Sequence, residues 1–132
     1  MRRKDPIRQI IQSFGHAVRG ICWVLQSEPN FRIHFAATVF VIGLGLFFPL
    51  SAGEWIALAL VSAMVLMTEV MNTAIEYLAD ALHPGRHPEI GKAKDAAAGA
   101  VMIAALAAVV VGLVIFLPKL WNLYLSTTTP NG

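Results

Sequence analysis

The sequence predicts an all-α integral membrane protein, a single domain in which an N-terminal amphipathic surface helix precedes three transmembrane helices. Three observations carry that prediction. The 132 residues are 57% hydrophobic and only 14% charged, too apolar for an ordinary soluble domain of this length. Hydropathy marks apolar segments at residues 31–50, 55–81 and 96–117, each long enough to cross a hydrocarbon core of about 30 Å. Basic residues are unevenly placed: Arg2, Arg3, Lys4, Arg8, Arg19 and Arg32 lie before or at the start of the first span, Arg86, Lys92 and Lys94 lie between the second and third, and Lys119 alone lies on the other side. By the positive-inside rule the N-terminus and the second loop are cytoplasmic, while the turn at 49–54 and the tail at 118–132 face outward. The formal net charge of +2 follows from this distribution and gives no separate reason to expect a nucleic-acid partner.

Within residues 6–28, Ile7, Ile10, Ile11, Phe14, Val18, Ile21 and Leu25 recur at steps of three and four, with Arg8, Gln9, Gln12, His16 and Arg19 elsewhere. That period is an amphipathic helix, too polar to span and stopped by Pro29. A helix of a soluble domain would need a soluble segment to pack on, so the expected place is the cytoplasmic membrane surface. The opening residues MRRKDPIRQIIQSF lack a continuous apolar core and a small-residue cleavage site, so no cleavable signal peptide is expected. Cys22 stands alone, which permits no intrachain disulfide; with no Cys/His cluster it implies no structural zinc and reads as a packing residue.

The joint to the first span is EPNFRIH at 28–34. Glu28 is expected at the depth of Glu76, and Asn30 and His34, four apart, share a face that can point into the bundle. His34 is equally compatible with a hydrogen-bonded packing role. After the first span Pro49 and Gly53 break the helix before Trp55, an aromatic of interfacial type, so the turn is structural.

The second span contains EVMNTAIEYLAD at 69–80. At about 100° per residue, Glu69, Asn72, Thr73, Glu76 and Asp80 fall within roughly 100° of arc, one helical face. An ionised acid at a helix centre costs about 2.5–3.5 kcal/mol on insertion scales, so three cost up to roughly 8–10 kcal/mol unless something binds them. With entrance near Trp55, Glu69 lies about 21 Å along the span and Glu76 and Asp80 about 32–38 Å, toward the cytoplasmic interface. An interhelical polar clamp is the plainer alternative to a functional site, yet ionisable residues inside a membrane read as functional by default.

The stretch 82–95, LHPGRHPEIGKAKD, holds two prolines and two glycines and is expected as a cytoplasmic loop beside the acids. Lys94 then falls near the start of the third span, where the helix dipole disfavours a cation. With Lys92 and the amides of a helix N-terminus it could hold a phosphate, although no Walker-type glycine motif is present. Positive-inside lysines that snorkel are the alternative. The third span carries Ala96, Ala100, Ala104, Ala108 and Gly112 at four-residue spacing, a ridge of small residues that lets helix backbones approach. Beyond Trp121 and Tyr124 the polar tail is expected to be disordered.

One interface therefore gathers Glu28, Glu69, Glu76, Asp80 and Asp95 with Lys92 and Lys94 and the carboxamides of Asn30 and Asn72. Carboxylates beside lysines suit Mg²⁺ with a nucleotide, because Mg²⁺ binds through one or two carboxylates plus phosphate oxygens while a lysine offsets phosphoryl charge. A further carboxylate can serve as base. At headgroup depth a lipid hydroxyl reaches such a site laterally and ATP from the cytoplasm, so phosphoryl transfer to a lipid alcohol is the expected chemistry. A small ion-coupled transporter would also use embedded carboxylates, but it needs them near the midplane, open to both sides in turn. An assembly subunit whose acids pair with a partner's arginines is a third possibility; neither explains the KAKD at 92–95.

Several motifs in order, SFGHA at 13–17 with Gly20, EPNFRIH at 28–34, EVMNTAIE at 69–76 with Asp80, and KAKDAAAGAV at 92–101, resemble the small integral-membrane bacterial diacylglycerol kinases, including their undecaprenol kinase branch. The resemblance covers nearly the whole chain. It implies a homotrimer in the bacterial cytoplasmic (inner) membrane with active sites shared between neighbouring subunits, using Mg²⁺ and ATP to phosphorylate diacylglycerol or undecaprenol. Carried over position by position, it implies Glu69 as general base, Glu28 and Glu76 as magnesium ligands, and Lys94 and Asp95 at the nucleotide phosphates. Asn72 and Asp80 would complete the polar lining beside Asn30 and His34, and His16, Arg86 and His87 would lie on the adenine side. The form of the 28–34 motif, with NTAIE at 72–76, looks more like the undecaprenol kinase type.

Overall fold

The computed structural model describes residues 6–128. Arg2, Arg3 and Lys4 of the basic N-terminus and the last residues of the tail lie outside that range. Four helices follow one another: α1 (Pro6–Ser27), α2 (Pro29–Phe47), α3 (Ala52–Leu82) and α4 (Pro88–Thr128). The last three are long and apolar enough to cross a membrane.

A single residue separates α1 from α2. Glu28 is extended (φ −105°, ψ 112°) because the proline after it crowds the helical region for its predecessor, while Pro29 itself suits a first helical position, where no N–H is needed. Helical hydrogen bonds resume at once on both sides, Glu28 N–H to the Val24 carbonyl at 2.9 Å and Arg32 N–H to the Glu28 carbonyl at 3.3 Å. At the far end of α2, Pro49 stops the helix. Ser51 then opens α3 with a capping box: its hydroxyl accepts from Glu54 N–H (3.2 Å) and its own N–H donates to the Glu54 carboxylate (2.7 Å), satisfying two amides that the helix leaves unpaired.

α3 and α4 pack antiparallel, pinned at both ends by ion pairs, Lys119–Glu54 at one and Lys94–Asp80 at the other, each 2.9 Å. Leu58, Ile115 and Phe116 form the buried centre near the Glu54 end, flanked by Val41, Leu44 and Phe48. Gly45 is buried there, and a Cβ on it would fall 2.7 Å from Trp55 Cη2 and 2.9 Å from Leu50 Cδ1; only glycine lets the turn fold back this tightly. Of the small-residue ridge, Ala104 is buried and Ala108 and Gly112 half-buried, whereas Ala96 and Ala100 are exposed in the single chain. α1 meets the bundle through Val24, which is buried, and through Trp23, whose ring stands edge-on to Tyr77 at 4.6 Å. Its apolar stripe, Ile10, Ile11, Phe14, Val18 and Ile21, stays more than half exposed.

Two expectations need correction. The loop foreseen over 82–95 is only 83–87, because α4 begins at Pro88: the second proline is a helix start rather than a breaker, Glu89 favours the positive end of the helix dipole, and a lone Gly91 costs about 1 kcal/mol without ending the helix. The tail foreseen as disordered from Ser126 onward, whose residues after Thr128 lie outside the described range, is helical as far as Thr128. There the hydroxyls of Ser126, Thr127 and Thr128 donate back to the carbonyls of Leu123 and Tyr124 at 2.8 Å, so polar side chains that usually compete with a helix satisfy its last carbonyls instead.

Candidate active site

The polar face of α3 turns inward where the helix is deepest. Glu69 is 3% exposed, Asn72 9% and Thr73 2%, and one turn on Glu76 is half-buried. The Asn72 amide donates to Glu76 Oε1 at 3.2 Å, the i,i+4 contact that a helix offers directly. Asn72 Oδ1 is buried with no partner among the described residues, and a buried acceptor left alone costs about 1–3 kcal/mol.

Around Glu69 the titratable groups within electrostatic reach are His34, Glu76 and Glu28. Glu28 comes from the α1–α2 joint and is half-buried; His34 comes from the second turn of α2. Two helices and the α1–α2 joint thus converge on one carboxylate.

Toward the α3–α4 connection the face continues through Asp80. Lys94 donates to both Asp80 oxygens, at 2.9 and 3.2 Å, and lies within electrostatic reach of Glu76. Asp80, Arg86, His87, Gly91 and Lys94 line a cleft of about 540 Å³. His83 stacks obliquely on His87, ring centres 5.2 Å apart.

A second cleft, of about 370 Å³, opens between α2, α3 and α4, bounded by His34, Thr38, Ser62, Val65, Ala108 and Gly112. It is almost wholly apolar, and the Thr38 hydroxyl is already spent on the His34 carbonyl at 2.9 Å. Ser62, Val65 and Glu69 stand on one face of α3 at steps of three and four. Glu69 therefore lies between the apolar cleft, one turn to one side, and the polar cleft around Asp80, three turns to the other.

Other residues singled out in the sequence lie elsewhere. His16 is exposed on α1, its Nδ1 2.8 Å from an Arg19 nitrogen; Asn30 and Asp95 are exposed in the single chain and line neither cleft. Lys92 turns away and pairs with Glu89 at 2.9 Å, both largely exposed. Lys94 is the seventh residue of α4, too far in to stand at the terminal amides; Ile90 and Gly91 at the helix start line the same cleft as Lys94. Sequence reasoning passed over His83, Ser62 and the Trp23–Tyr77 contact. An aromatic at the end of an amphipathic helix was a usable sign for the last; His83 and Ser62 gave none, since their place depends on how helices cross.

Among the described residues no three acidic, histidine or cysteine side chains converge as a cage of protein ligands would. The donors present are nevertheless hard carboxylate oxygens with one unpaired carboxamide oxygen, the set Mg²⁺ takes when phosphate and water supply the other positions.

The chain as a whole is similar to known proteins. The profile of prokaryotic diacylglycerol kinase matches residues 15–116. The chain is 40% identical over 117 residues to the undecaprenol kinase of Bacillus subtilis (strain 168), covering 89% of this chain and 95% of that one. It is 40% identical over 129 residues to a diacylglycerol kinase of Synechocystis sp., covering 91% and 74% respectively. Against the diacylglycerol kinase of Escherichia coli (strain K12) the identity is 28% over 102 residues, 77% of this chain and 84% of the other.

Proposed function

The chain belongs to the prokaryotic diacylglycerol kinase family, and from that premise we propose how its residues divide the work. The protein is a multi-pass membrane lipid kinase: with Mg²⁺ and ATP it phosphorylates the hydroxyl of a membrane lipid alcohol, diacylglycerol or undecaprenol. The observation that carries the assignment of roles is the position of Glu69, buried between an apolar cleft and a polar one.

Glu69 is the general base. It accepts the proton of the lipid hydroxyl as that oxygen bonds to the γ-phosphorus and the bond from phosphorus to the bridging oxygen breaks, leaving ADP. The apolar cleft beside it takes the hydrocarbon next to the hydroxyl. Glu28 and Glu76 would hold magnesium, and Asn72 orients Glu76 through its amide. Bound Mg²⁺ would supply charge neutralisation on the phosphate oxygens. Lys94 binds phosphate, with Asp80 orienting its ammonium, while Arg86 and His87 lie along the nucleotide and Asp95 and His16 approach it from outside the cleft. Asn30 and His34 complete the polar lining.

The working unit in this reading is a homotrimer with shared sites. Three features support it: the unpaired Asn72 Oδ1, the exposed start of the small-residue ridge at Ala96 and Ala100, and an acid set too open to enclose a metal within one chain. Bases before α2 and between α3 and α4 support a cytoplasmic N-terminus and second loop in the inner membrane, with α1 on its surface.

The test is direct. Purified protein in micelles receives Mg²⁺, labelled ATP and, side by side, diacylglycerol and undecaprenol. A labelled lipid phosphate that requires Mg²⁺ is the expected product; label in neither lipid overturns the reading, and the ratio of the two identifies the acceptor.

A further inference from the structure

The last part of α4 has no place in the site. Lys119 pairs with Glu54 in the first turn of α3, so residue 119 stands level with the end of the bundle, and the nine residues from 120 to 128 run on past it for about 13 Å. This extension lies wholly beyond the matched stretch, which ends at 116.

It is amphipathic. At about 100° per residue Leu117, Leu120, Trp121 and Tyr124 fall within roughly 100° of arc, which Thr128 enters at the helix end, with Lys119, Asn122 and Ser126 on the opposite side and Leu123 and Leu125 on the flanks. The Lys119–Glu54 pair turns Lys119 toward α3, and past it every residue from 120 to 128 is exposed. Leu117, Leu120, Trp121 and Tyr124 are 60%, 46%, 60% and 57% exposed, and the two aromatic rings lie 5.9 Å apart.

Length then sets a constraint. The headgroup zone adds about 5–7 Å to the hydrocarbon on each side, so a helix that continues from a charged pair at the boundary places Trp121, about 3 Å past Lys119, within that zone and Tyr124, about 7.5 Å past it, at its outer edge. An indole N–H and a phenol hydroxyl on otherwise apolar rings suit a surface that is greasy on one side and wet on the other.

We propose that this face, Leu117, Leu120, Trp121 and Tyr124, is an interfacial anchor in the membrane leaflet remote from the carboxylate site. It holds α4 in vertical register, and its ligand is the headgroup–acyl boundary of the lipid.

Depth-dependent quenching tests this. The full chain and its Trp121→Phe variant are placed in phosphatidylcholine–phosphatidylglycerol vesicles whose acyl chains carry bromine near the headgroup end or near the methyl end, or with iodide on both sides. The difference in emission between the two proteins belongs to Trp121. Loss of most of it to the headgroup-end bromines, with little loss to iodide, is expected. Strong quenching by iodide places the ring in water; strongest quenching by the methyl-end bromines places it in the hydrocarbon; quenching by neither places it against a second copy of the chain. Each of these three overturns the proposal. Unchanged lipid phosphorylation in Trp121→Phe verifies its fold; should that variant misassemble, Trp23→Phe with Trp55→Phe leaves Trp121 as the sole emitter and reads the same quantity directly.

Discussion

Lys94 reaches across from α4 to bond both oxygens of Asp80, at 2.9 and 3.2 Å, although fourteen positions separate the two in sequence. The pair closes one wall of the polar cleft and holds the ammonium group aimed along it. Lys94→Met keeps most of the side-chain volume and removes the charge, so the KM for ATP should rise and turnover should fall while lipid binding is retained. Steady-state kinetics with each substrate varied in turn will check this; an unaltered KM and kcat for ATP removes Lys94 from the site.

Glu76→Gln replaces the proposed magnesium ligand by a neutral isostere. Turnover should fall at ordinary Mg²⁺ by more than the roughly 10–100-fold typical of losing an outer-shell partner, with partial recovery as Mg²⁺ is raised. Assembly in detergent should be intact, because a charge has been taken out of the membrane rather than put into it. A near-wild-type rate at low Mg²⁺ contradicts the role.

Glu69 is the most buried acid of the face, 3% exposed. Glu69→Gln should bind Mg²⁺ and ATP with unchanged affinity and lose about 10²–10⁴-fold in the chemical step, the usual contribution of a general base. Nucleotide affinity and single-turnover rate measured on the same preparation decide between base and metal ligand, since a ligand would lose both.

Of the site, the sequence carried whatever depends on one helix at a time. The period along 69–80 put Glu69, Asn72, Thr73, Glu76 and Asp80 on one face, and the face is there. The Lys94–Asp80 bond, the pairing of Lys92 with Glu89 and the two clefts depend on how α3 and α4 cross, which no single-helix period encodes. Of the fold, three long apolar helices were equally legible from hydropathy. The start of α4 was not, because a proline in a sequence reads alike as a breaker and as a first helical residue, and its neighbours Glu89 and Ile90 decide which. The helical end of α4 was hidden for a similar reason: Ser126, Thr127 and Thr128 favour loops by composition and were turned to the helix's use by bonding its own carbonyls.

Packing at Ala104 and Gly45 gives two stability predictions. Ala104 is 3% exposed against its neighbours, so Ala104→Leu should overpack the helix interface and cost about 1–3 kcal/mol, lowering thermal stability in detergent more than it alters kinetics in whatever protein remains folded.

At Gly45 the nearest atoms to an added Cβ are ring carbons of Trp55 and a methyl of Leu50, at 2.7 and 2.9 Å. Gly45→Ala should destabilise by a similar amount, about 1–3 kcal/mol, and Trp55→Ala introduced alongside should restore part of it. A double-mutant cycle on the melting of the purified protein measures that coupling.

Glu28 is the only residue between α1 and α2, and helical hydrogen bonds begin again immediately on either side of it. Such a joint has no slack. The 22 residues of α1 make a lever of about 33 Å whose fulcrum carries a carboxylate beside Glu69, so a displacement of about 3 Å at the far tip turns the fulcrum by only about 5°, a gearing that reports large movements at the tip as fine adjustments at the carboxylate. In the proposed placement of α1 on the lipid surface, the tilt of that surface and the aim of Glu28 are one mechanical coordinate.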